Sequence, residues 1–291
     1  MPEQMMKRYA AMTEAALDRY VPQEEGYAGR LTDACRYSLL GGGKRLRPAL
    51  LLEFYRLCGG APEDALPFAC GLEMIHTYSL IHDDLPCMDN DDYRRGRLSN
   101  HKVYGEAVAT LAGDALLNRA FEIMLSQTAV PTERAVAAAA YIGRCSGVFG
   151  MIGGQIEDLL LEGKAPSERE LLQMISKKTG ALLRAACVGG CLLAGAPQEK
   201  LEAAEQYADT LGMAFQIRDD LLDVIGDSAA LGKATGSDAA KQKSTFVSLC
   251  GQEECQRRVD DLTVRAVRAA GAFEGNGFLT ALARQLARRD H

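Results

Sequence analysis

Two acid-rich segments, 136 residues apart, place clusters of carboxylates inside stretches that are otherwise apolar and favour helix. The first, IHDDLPCMDNDDYRRG, begins its acidic run at Asp83, and the second, FQIRDDLLDVIGD, begins its run at Asp219. Like charges packed this closely repel one another and are costly to bury in apolar surroundings. The pattern therefore predicts a helical protein in which a cation lies between the two clusters.

The ligand set indicates which cation this is. Both segments offer oxygen ligands without neighbouring Cys or His clusters, which suits Mg²⁺ shared among one or two carboxylates, waters and the phosphates of a substrate. Asp219 and Asp223 are four residues apart, so on a continuous helix they lie on one face and reach the same ion. We therefore expect the substrate to be a diphosphate ester whose oxygens bind the same Mg²⁺ as the two acidic segments.

The first segment requires a break in its helix. Asp83, Asp84 and Asp89 do not share a face on an ideal helix, because Cys87 lies one turn after Asp83. Pro86 removes a backbone donor, so we expect the helix to end or kink there and the chain to bring Asp89 back towards Asp83. One such string is also typical of helix caps and solvated faces. Two acid-rich strings in one chain, each followed by basic residues, favour a metal site.

Composition limits the class of protein and its compartment. Of 291 residues, 47% are hydrophobic and 25% are charged, as in water-soluble globular proteins, and a net charge of −6 argues against nucleic-acid binding. The nine cysteines lack CxxC pairs and are interpreted as small core residues in a reducing compartment, with Cys87 structural rather than nucleophilic. The N-terminal segment has no secretory h-region, and the most apolar stretch, Ala181 to Pro197, is too short and broken to span a bilayer. We therefore expect a cytoplasmic protein without a membrane span.

Helical periodicity runs through almost every long segment, for example Glu133 to Tyr141, Glu168 to Leu183 and Lys200 to Leu222. The sequence contains no sustained strand alternation. Clusters of glycine and proline separate the helical segments at Gly41 to Gly43, Gly59 to Pro62, Pro131, Gly163 to Ser167, Gly195 to Gln198, Gly226 to Ser237 and Gly271 to Gly277. The breaks predict about ten helices that form one all-α domain over residues 1–291.

Basic residues recur close to these features. Lys44, Arg45 and Arg47 follow three glycines in GGGKRLRPA, a turn that suits an anion although its spacing is not that of a P-loop. Arg94 and Arg95 directly follow the first acidic run, and arginine offers bidentate recognition of phosphate oxygens. Each string alone is also typical of a solvated basic loop or of charge neutralisation. Beside a Mg²⁺ site, the arginines favour phosphate binding.

A second set of polar residues lies between and after the acidic motifs. In the run Lys178 to Gly180, a β-branched residue followed by glycine favours a helix distortion that leaves backbone carbonyls free, and the lysine reaches far enough for a phosphate. Gln216 lies three residues before Asp219, on nearly the same helical face. Lys233 and Lys243 lie in and after a glycine-containing loop, from which lysines can close over a charged leaving group.

Together these motifs resemble those of the trans-polyprenyl diphosphate synthases of the type I isoprenoid-synthase fold, most closely the bacterial-type farnesyl diphosphate synthases. The resemblance runs from about Ala34 to the C-terminus, through YSLLGGGKRLRP, HTYSLIHDDLPCMDNDDYRRG, GMIGGQIEDL, KKTGALL and FQIRDDLLDVIGD. It implies an all-α fold, a single large helical bundle around a central cavity, and a homodimer. The sequence departs from the family at Leu98 and Ser99, which stand where a proline–threonine pair is usual.

The resemblance also implies a role for each motif residue. The metal-binding and catalytic acids are Asp83, Asp84, Asp89, Asp219, Asp220 and Asp223. The residues that hold isopentenyl diphosphate are Lys44, Arg47, His76 and Arg95. Those around the allylic diphosphate are Arg94, Lys178, Lys233 and Lys243, with oxygen dipoles of Thr179 and Gln216 directed towards the developing carbocation. About three Mg²⁺ ions offset the roughly six negative charges of the two diphosphates.

The implied activity is chain elongation. Mg²⁺ and the basic residues draw diphosphate from the allylic substrate, the homoallylic double bond attacks the cation, and loss of a proton gives a longer trans-prenyl diphosphate. The tail grows along the helix of the first motif, where Tyr78 lies five residues, or about 7.5 Å, before Asp83. Tyr78 is expected to act as a floor that favours a C15, farnesyl, product.

Three alternatives accompany this interpretation. A geranylgeranyl diphosphate synthase, with a C20 product, shares much of the LPCMDNDD string. A terpene cyclase shares the fold and the first motif, but it is expected to carry a mixed Asn/Ser/Glu second motif, whereas the ligand positions from Asp219 to Asp223 are all acidic here. A non-catalytic subunit of a heteromeric synthase is expected to have lost one motif, and both are intact.

Overall fold

The fold is seen in a computed structural model, and the structure describes residues 2–225 and 245–288. Helices account for most of this part of the chain, as the sequence predicts, and the all-α fold class is confirmed. The α-helices of the described residues are α1 (Pro2–Tyr20), α2 (Gly26–Leu39), α3 (Leu46–Leu57), α4 (Leu66–Asp83), α5 (Asn100–Tyr104), α6 (Glu106–Ser126), α7 (Thr132–Ser146), α8 (Met151–Leu161), α9 (Glu168–Ile175), α10 (Ala181–Ala194), α11 (Gln198–Ile225), α12 (Phe246–Cys250), α13 (Gln252–Ala270) and α14 (Gly277–Arg288).

Three short elements interrupt the helices. Pro62–Ala65 forms a 3₁₀ turn before α4, and Ser176–Gly180 forms a π-helical turn that joins α9 to α10. In a two-residue hairpin, β1 (Tyr93–Arg94) pairs antiparallel with β2 (Arg97–Leu98). Both residues of its loop have positive φ, 53° at Arg95 and 73° at Gly96, which is the type I′ geometry that matches strand twist.

The predicted helical segments coincide with α7, with α9 to α10 and with α11. The helices outnumber the ten or so that the sequence suggests, because three further breaks divide them within the described residues. Gly105 and Gly251 adopt positive φ and separate neighbouring helices, and a turn over residues 147–150 separates α7 from α8. The predicted break from Gly226 to Ser237 lies outside the described residues.

Two helices form the centre of the main core. α4 packs against α1, α3 and α6, and α10 packs against α3, α7 and α11. α4 is buried on most sides, which explains why it is apolar all round rather than amphipathic. Each large apolar side chain buried in this core contributes roughly 1.5–3 kcal/mol relative to exposure. The first acidic motif therefore begins at the C-terminal end of a core helix.

A second, smaller apolar cluster lies beneath the other acidic motif. Ile217 and Leu221 of α11 pack there with Ile175 of α9, Phe246 of α12 and Val259 of α13. α11 thus presents one face to this cluster while its neighbouring residues carry the carboxylates. Both acidic motifs lie at the C-terminal ends of helices that pack through apolar side chains.

A buried ion pair fixes the loop before α3. The Arg45 side chain is fully buried, and its Nη1 lies 2.8 Å from Oε1 of Glu73 on α4. Its Nη2 donates to the carbonyl of Leu39 at 2.7 Å, and its Nε lies 3.5 Å from Glu14. Among the three cations of the glycine-rich turn, Arg45 is therefore unavailable to a bound anion, because its guanidinium points into the protein.

Replacing Glu73 with alanine is expected to destabilise the protein by about 3 kcal/mol, because the Arg45 charge would stay buried without its closest counter-ion. Chemical denaturation measures this difference in the free energy of unfolding. The control is Glu14→Ala, since Glu14 is half exposed and its removal should change the free energy by less than about 1 kcal/mol. Equal effects of the two substitutions would contradict the assignment.

All nine cysteines are free thiols. Eight are buried or half-buried, as expected of small core residues, but Cys87 is exposed. Cys87 follows Pro86 in the turn after α4, where the chain leaves the core. Its interpretation as a core residue is therefore wrong.

Among the described residues, one stretch has the length and mean hydropathy, 1.4, of a membrane-crossing helix, and it is Thr132–Leu161 rather than Ala181 to Pro197. It comprises α7, the turn over 147–150 and α8, and 44% of its most apolar window is buried inside the protein. This is weak evidence for a membrane span, because core helices of soluble proteins share the same length and composition.

Candidate active site

A cavity of about 490 Å³ opens where α3, α4, α8 and the π-helical turn meet. Its polar lining includes Arg47, His76, Asp83, Lys178 and Thr179. Most of the remaining lining is apolar and consists of Tyr78, Leu80, Met88, Met151, Ile152, Ile156, Leu159 and Leu182. A cavity that combines charged groups with an apolar lining suits an amphipathic ligand that has an anionic head and a hydrocarbon tail.

The turn after α4 folds back on itself as the sequence predicts. α4 ends at Asp83, and the backbone N–H of Asp89 donates to the Asp83 carbonyl at 2.9 Å. The N–H groups of Met88 and Asn90 both donate to the Leu85 carbonyl, so the turn is compact. The predicted return of Asp89 to Asp83 is confirmed.

Asp84 faces a different partner from Asp83. Its side chain is nearly fully buried, and Nε of Arg94 donates to its two oxygens at 3.0 and 3.3 Å. Both residues line a small adjoining cavity together with Arg95, whereas Asp83 lines the main one. Metal binding by Asp84 stays a prediction, and it would require the carboxylate to be shared with Arg94.

The second motif presents its acids from one continuous helix. Asp219 and Asp223 are one turn apart on α11, as predicted, and Asp223 is 5% exposed. Between them, Asp220 is buried and accepts hydrogen bonds from Gln216 Nε2 at 3.0 Å and from the Phe246 backbone N–H at 2.9 Å. Asp220 therefore also anchors α12 to α11.

The predicted helix distortion at Lys178 to Gly180 is confirmed as a π-helical turn. Thr179 Oγ1 donates to Gln216 Oε1 at 3.2 Å, so the two residues assigned to the carbocation lie side by side. The Ser176 carbonyl does not stay free, since Nη2 of Arg184 donates to it at 3.0 Å. Arg184 thus supports the distorted turn from outside the cavity.

Close helix contact places Lys178 at the cavity. A methyl group on Gly154 of α8 would lie 2.2 Å from the Lys178 backbone nitrogen, so only glycine permits this approach. The Lys178 ammonium lies 2.5 Å from Oδ2 of buried Asp158, also on α8. The sequence did not indicate a role for Asp158 or Gln155, although both lie in the GMIGGQIEDL segment. The same segment contains Gly154, which lets α8 approach Lys178.

Arg47 of α3 and His76 of α4 form another part of the polar lining. Burial, followed by the charge of Arg47, lowers the pKa of His76 well below its usual value. The imidazole is therefore neutral near pH 7. Among described residues, Nε of Arg47 and Nε2 of Gln155 are buried donors without hydrogen-bond partners. Such donors fit an anionic group in the cavity.

The remaining predicted basic residues differ in their placement. Lys44 is exposed on the loop before α3. Arg95 is exposed on the hairpin, and its Nη1 donates to the Gly42 carbonyl, which joins the hairpin to the glycine-rich turn. Lys233 and Lys243 lie outside the described residues.

The acids and donors fit Mg²⁺ only as an ion shared with a ligand. Within residues 2–225 and 245–288, no three His, Cys, Asp or Glu side chains are grouped closely enough to hold a metal by themselves. Asp83 lines the same cavity as the unpartnered donors of Arg47 and Gln155, which suit phosphate oxygens. Asp219 and Asp223 lie on α11 outside this lining, and the Gln216–Thr179 hydrogen bond links their helix to it. Mg²⁺ typically takes one or two carboxylates together with substrate phosphates and waters.

Burial gives Asp83 an unusual proton affinity. It raises the pKa of Asp83 from 3.8 to about 6, with Asp89 and Asp84 adding to the rise and Lys178 opposing it. The folded protein therefore holds this proton more tightly than the unfolded chain does. The contribution of protonated Asp83 to the free energy of unfolding is fully present below about pH 4 and is lost as the pH rises through about 6.

Asp83→Asn is expected to stabilise the metal-free protein at pH 8 by about 1–3 kcal/mol, because asparagine carries no charge to bury. At pH 4 the gain should disappear, since Asp83 is then protonated in the folded state. Denaturant unfolding in the presence of a chelator at both pH values measures the change. A gain of the same size at pH 4 and pH 8 would show that the charge of Asp83 is not its cause.

Comparison with known proteins places the chain in a family. Residues 29–270 match the family described as polyprenyl synthetase. The chain is 48% identical over 257 residues to a geranylgeranyl diphosphate synthase from Cyanophora paradoxa, with 88% of the chain and 85% of the relative covered. It is 44% identical over 257 residues to a farnesyl diphosphate synthase from Geobacillus stearothermophilus, with 87% and 86% covered.

A solved structure supports the same relation. The fold matches an FPP/GFPP synthase from Zymomonas mobilis with a TM-score of 0.89 and 33% sequence identity, over 98% of each chain. The predicted resemblance is confirmed at this level. Because the match spans most of the chain in both sequence and structure, the protein belongs to the polyprenyl synthetase family of enzymes.

Proposed function

We propose that the protein is a Mg²⁺-dependent trans-prenyltransferase that condenses isopentenyl diphosphate with dimethylallyl and geranyl diphosphates to give farnesyl diphosphate. The observation that carries the proposal is a single cavity with Asp83 and Lys178 in its polar lining and buried Tyr78 in its apolar lining. Its charged part suits a diphosphate and its apolar part suits a short prenyl chain.

The site residues keep the roles that the resemblance implies, as part of this proposal. The acids assigned to Mg²⁺ are Asp83, Asp84, Asp89, Asp219 and Asp223, with Asp220 in the catalytic set. Arg94, Lys178, Lys233 and Lys243 hold the allylic diphosphate, and Lys44, Arg47, His76 and Arg95 hold isopentenyl diphosphate. About three ions, when bound, neutralise the diphosphates and help the leaving group depart.

The protein residues then orient and protect the reacting carbons. Lys178 lines the cavity, and its ammonium, which also donates to Asp158, is assigned to the departing diphosphate oxygens. The linked oxygens of Thr179 and Gln216 place dipoles beside the positive charge that develops when the allylic C–O bond breaks. A new C–C bond forms as the double bond of isopentenyl diphosphate attacks the allylic carbon that has lost its diphosphate. The released diphosphate accepts the proton that leaves the adjacent carbon.

Product length depends on how far the tail extends along α4. Tyr78 is 5% exposed and lines the cavity about 7.5 Å before Asp83. This floor favours C15 over C20. The second candidate is geranylgeranyl diphosphate synthesis, which gains support from the 48% identical Cyanophora paradoxa relative of that name.

We also propose a cytoplasmic homodimer. Val148 and Phe149 are more than 70% exposed, and Ile152 and Ile156 of α8 are about half exposed while also lining the cavity. An apolar ridge of this kind is typical of a protein interface. A second copy that covers α8 would bury the ridge and thicken the outer wall of the cavity. The assignment of residues 1–291 to one polyprenyl synthase domain remains part of the proposal.

Incubation with labelled isopentenyl diphosphate, dimethylallyl diphosphate and Mg²⁺, followed by chromatography of the hydrolysed products, tests the proposal. Farnesol is the expected main product, and geranylgeraniol would establish the second candidate instead. A cyclic hydrocarbon would indicate a terpene cyclase. The absence of any elongated product would indicate a non-catalytic subunit, an alternative that the two intact acidic motifs disfavour.

A further inference from the structure

A notch in α6 accommodates a histidine of the first motif. A methyl group built on Gly113 would lie 2.1 Å from Nε2 of His82 and 2.5 Å from its Cδ2, well inside the contact limit. The imidazole therefore occupies the space that the missing side chain of Gly113 leaves. No other residue type at position 113 is compatible with this ring position.

The imidazole is held in the notch by the backbone of α6. Nε2 of His82 lies 2.9 Å from the carbonyl oxygen of Thr110, which can only accept, so Nε2 carries the hydrogen and donates. Oδ1 of Asp114 lies further away, at 3.9 Å. The hydrogen bond to Thr110 therefore holds the ring against α6, in the space that Gly113 leaves open.

The His82 ring also contacts Tyr78, one helical turn earlier on α4. The two rings meet edge to face, with centroids 5.6 Å apart and an interplanar angle of 74°. Both residues line the main cavity. The Tyr78 hydroxyl has no hydrogen-bond partner among the described residues, so ring packing rather than a hydrogen bond determines where the phenol lies.

We infer that His82 is a positioning residue for Tyr78, and that the Gly113 notch and the His82 ring together help to set the length of the prenyl product. The inference rests on the proposed function, since it concerns how far the prenyl tail extends. With His82 in the notch, the Tyr78 ring has a rigid neighbour on the side of α6. Without it, the phenol can turn aside and the apolar end of the cavity deepens.

Three variants and a control test this inference. His82→Ala removes the neighbouring ring, Gly113→Ala expels it from the notch, and the double variant does both. The control is Gly143→Ala on α7, where the added methyl would lie an ordinary 3.5 Å from the Phe121 ring. The readout is the ratio of C20 to C15 products, which does not depend on the overall rate.

His82→Ala is expected to raise the C20 to C15 ratio roughly fivefold, the size that the loss of one edge-to-face ring contact gives. Gly113→Ala should change the ratio at least about twofold in the presence of His82 and leave it unchanged in the His82→Ala background, because the two residues act as a unit. Gly143→Ala should match the wild type. An unchanged ratio in His82→Ala, or additive effects of the two substitutions, would overturn the inference.

A second readout does not require catalysis. Gly113→Ala should lower the thermal midpoint of the otherwise unchanged protein, because the methyl displaces the imidazole. In the His82→Ala background the same change should raise the midpoint, since the methyl fills empty space and alanine favours helix over glycine. A decrease of equal size in both backgrounds would contradict the packing argument.

These outcomes separate the inference from the proposed function. If the wild-type protein forms no elongated product, the proposed function fails, whatever the thermal midpoints show. If the wild type forms C15 and His82→Ala forms C15 in the same ratio, the proposed function stands and the role of His82 fails. If the wild type already forms mainly C20, the Tyr78 floor fails and the role of His82 fails with it.

Discussion

Replacing either Asp83 or Asp219 with alanine is expected to reduce prenyl transfer on the order of 10³-fold or more. Asp83 is the last residue of α4 and lines the cavity, and Asp219 is the first acid of the second motif on α11. Each substitution therefore removes a carboxylate from one of the two motifs proposed to hold the diphosphate through Mg²⁺. Stabilisation of the departing diphosphate is the step that the proposed mechanism assigns to these acids. Initial rates with isopentenyl and allylic diphosphates at saturating Mg²⁺ measure the loss.

The matched control for this loss is Asp92→Ala. Asp92 belongs to the same acidic segment, but it is exposed and its carboxylate pairs with Lys102 at 2.7 Å. Because Asp92 is not one of the proposed metal ligands and its ion pair with Lys102 is exposed, its removal should change the rate less than about threefold. Near-normal rates in Asp83→Ala or Asp219→Ala would remove the metal assignment of that motif. If Asp92→Ala reduced the rate as much as Asp83→Ala or Asp219→Ala, the rate would depend on the total negative charge of the acidic segments and not on where each carboxylate lies.

The second large effect is expected from Tyr78→Ala, which should make C20 or longer chains the main product. Tyr78 is buried and lines the cavity, and we propose that its ring excludes a longer tail by steric overlap. Overpacking of this kind is worth roughly 1–3 kcal/mol, so its removal should raise the C20 to C15 ratio by up to on the order of 100-fold. Product chromatography measures the ratio, and a product that stays C15 would refute the floor.

Tyr78→Phe is the control for that change. It keeps the ring and removes a hydroxyl that is buried without a hydrogen-bond partner in the described part of the chain. The product should remain C15, and the free energy of unfolding should rise by up to about 1 kcal/mol because a desolvated polar group is lost. A shift to C20 in Tyr78→Phe would mean that the hydroxyl, not the ring, limits the chain.

Much of the architecture was predictable because local signals agree with the fold. α4 and α10 are apolar on most sides and form the core, and the breaks at Pro131 and Gly195 coincide with helix ends. The return of Asp89 to Asp83 was predictable from Pro86, because proline ends a helix through its own chemistry. The distortion at Lys178 to Gly180 likewise depends on adjacent residues.

The features that were not predicted depend on residues far apart in the chain. Arg45 is buried because Glu73 of α4 and Glu14 of α1 approach it, and no pattern near Arg45 indicates either contact. Asp84 turns away from Asp83 because the hairpin after the motif brings Arg94 to it. The Lys178–Asp158 pair depends on Gly154, whose importance is visible only once α8 meets the π-helical turn.

Binding of a slowly ionising allylic substrate, geranyl thiolodiphosphate, tests most directly whether both acidic motifs hold one magnesium-bound diphosphate. Titration calorimetry measures its affinity for the wild type with and without Mg²⁺, and for Asp83→Ala and Asp219→Ala with Mg²⁺. We expect removal of Mg²⁺ or of either carboxylate to weaken binding on the order of 100-fold. Affinity that is unchanged without Mg²⁺, or unchanged in Asp219→Ala, would contradict a shared site.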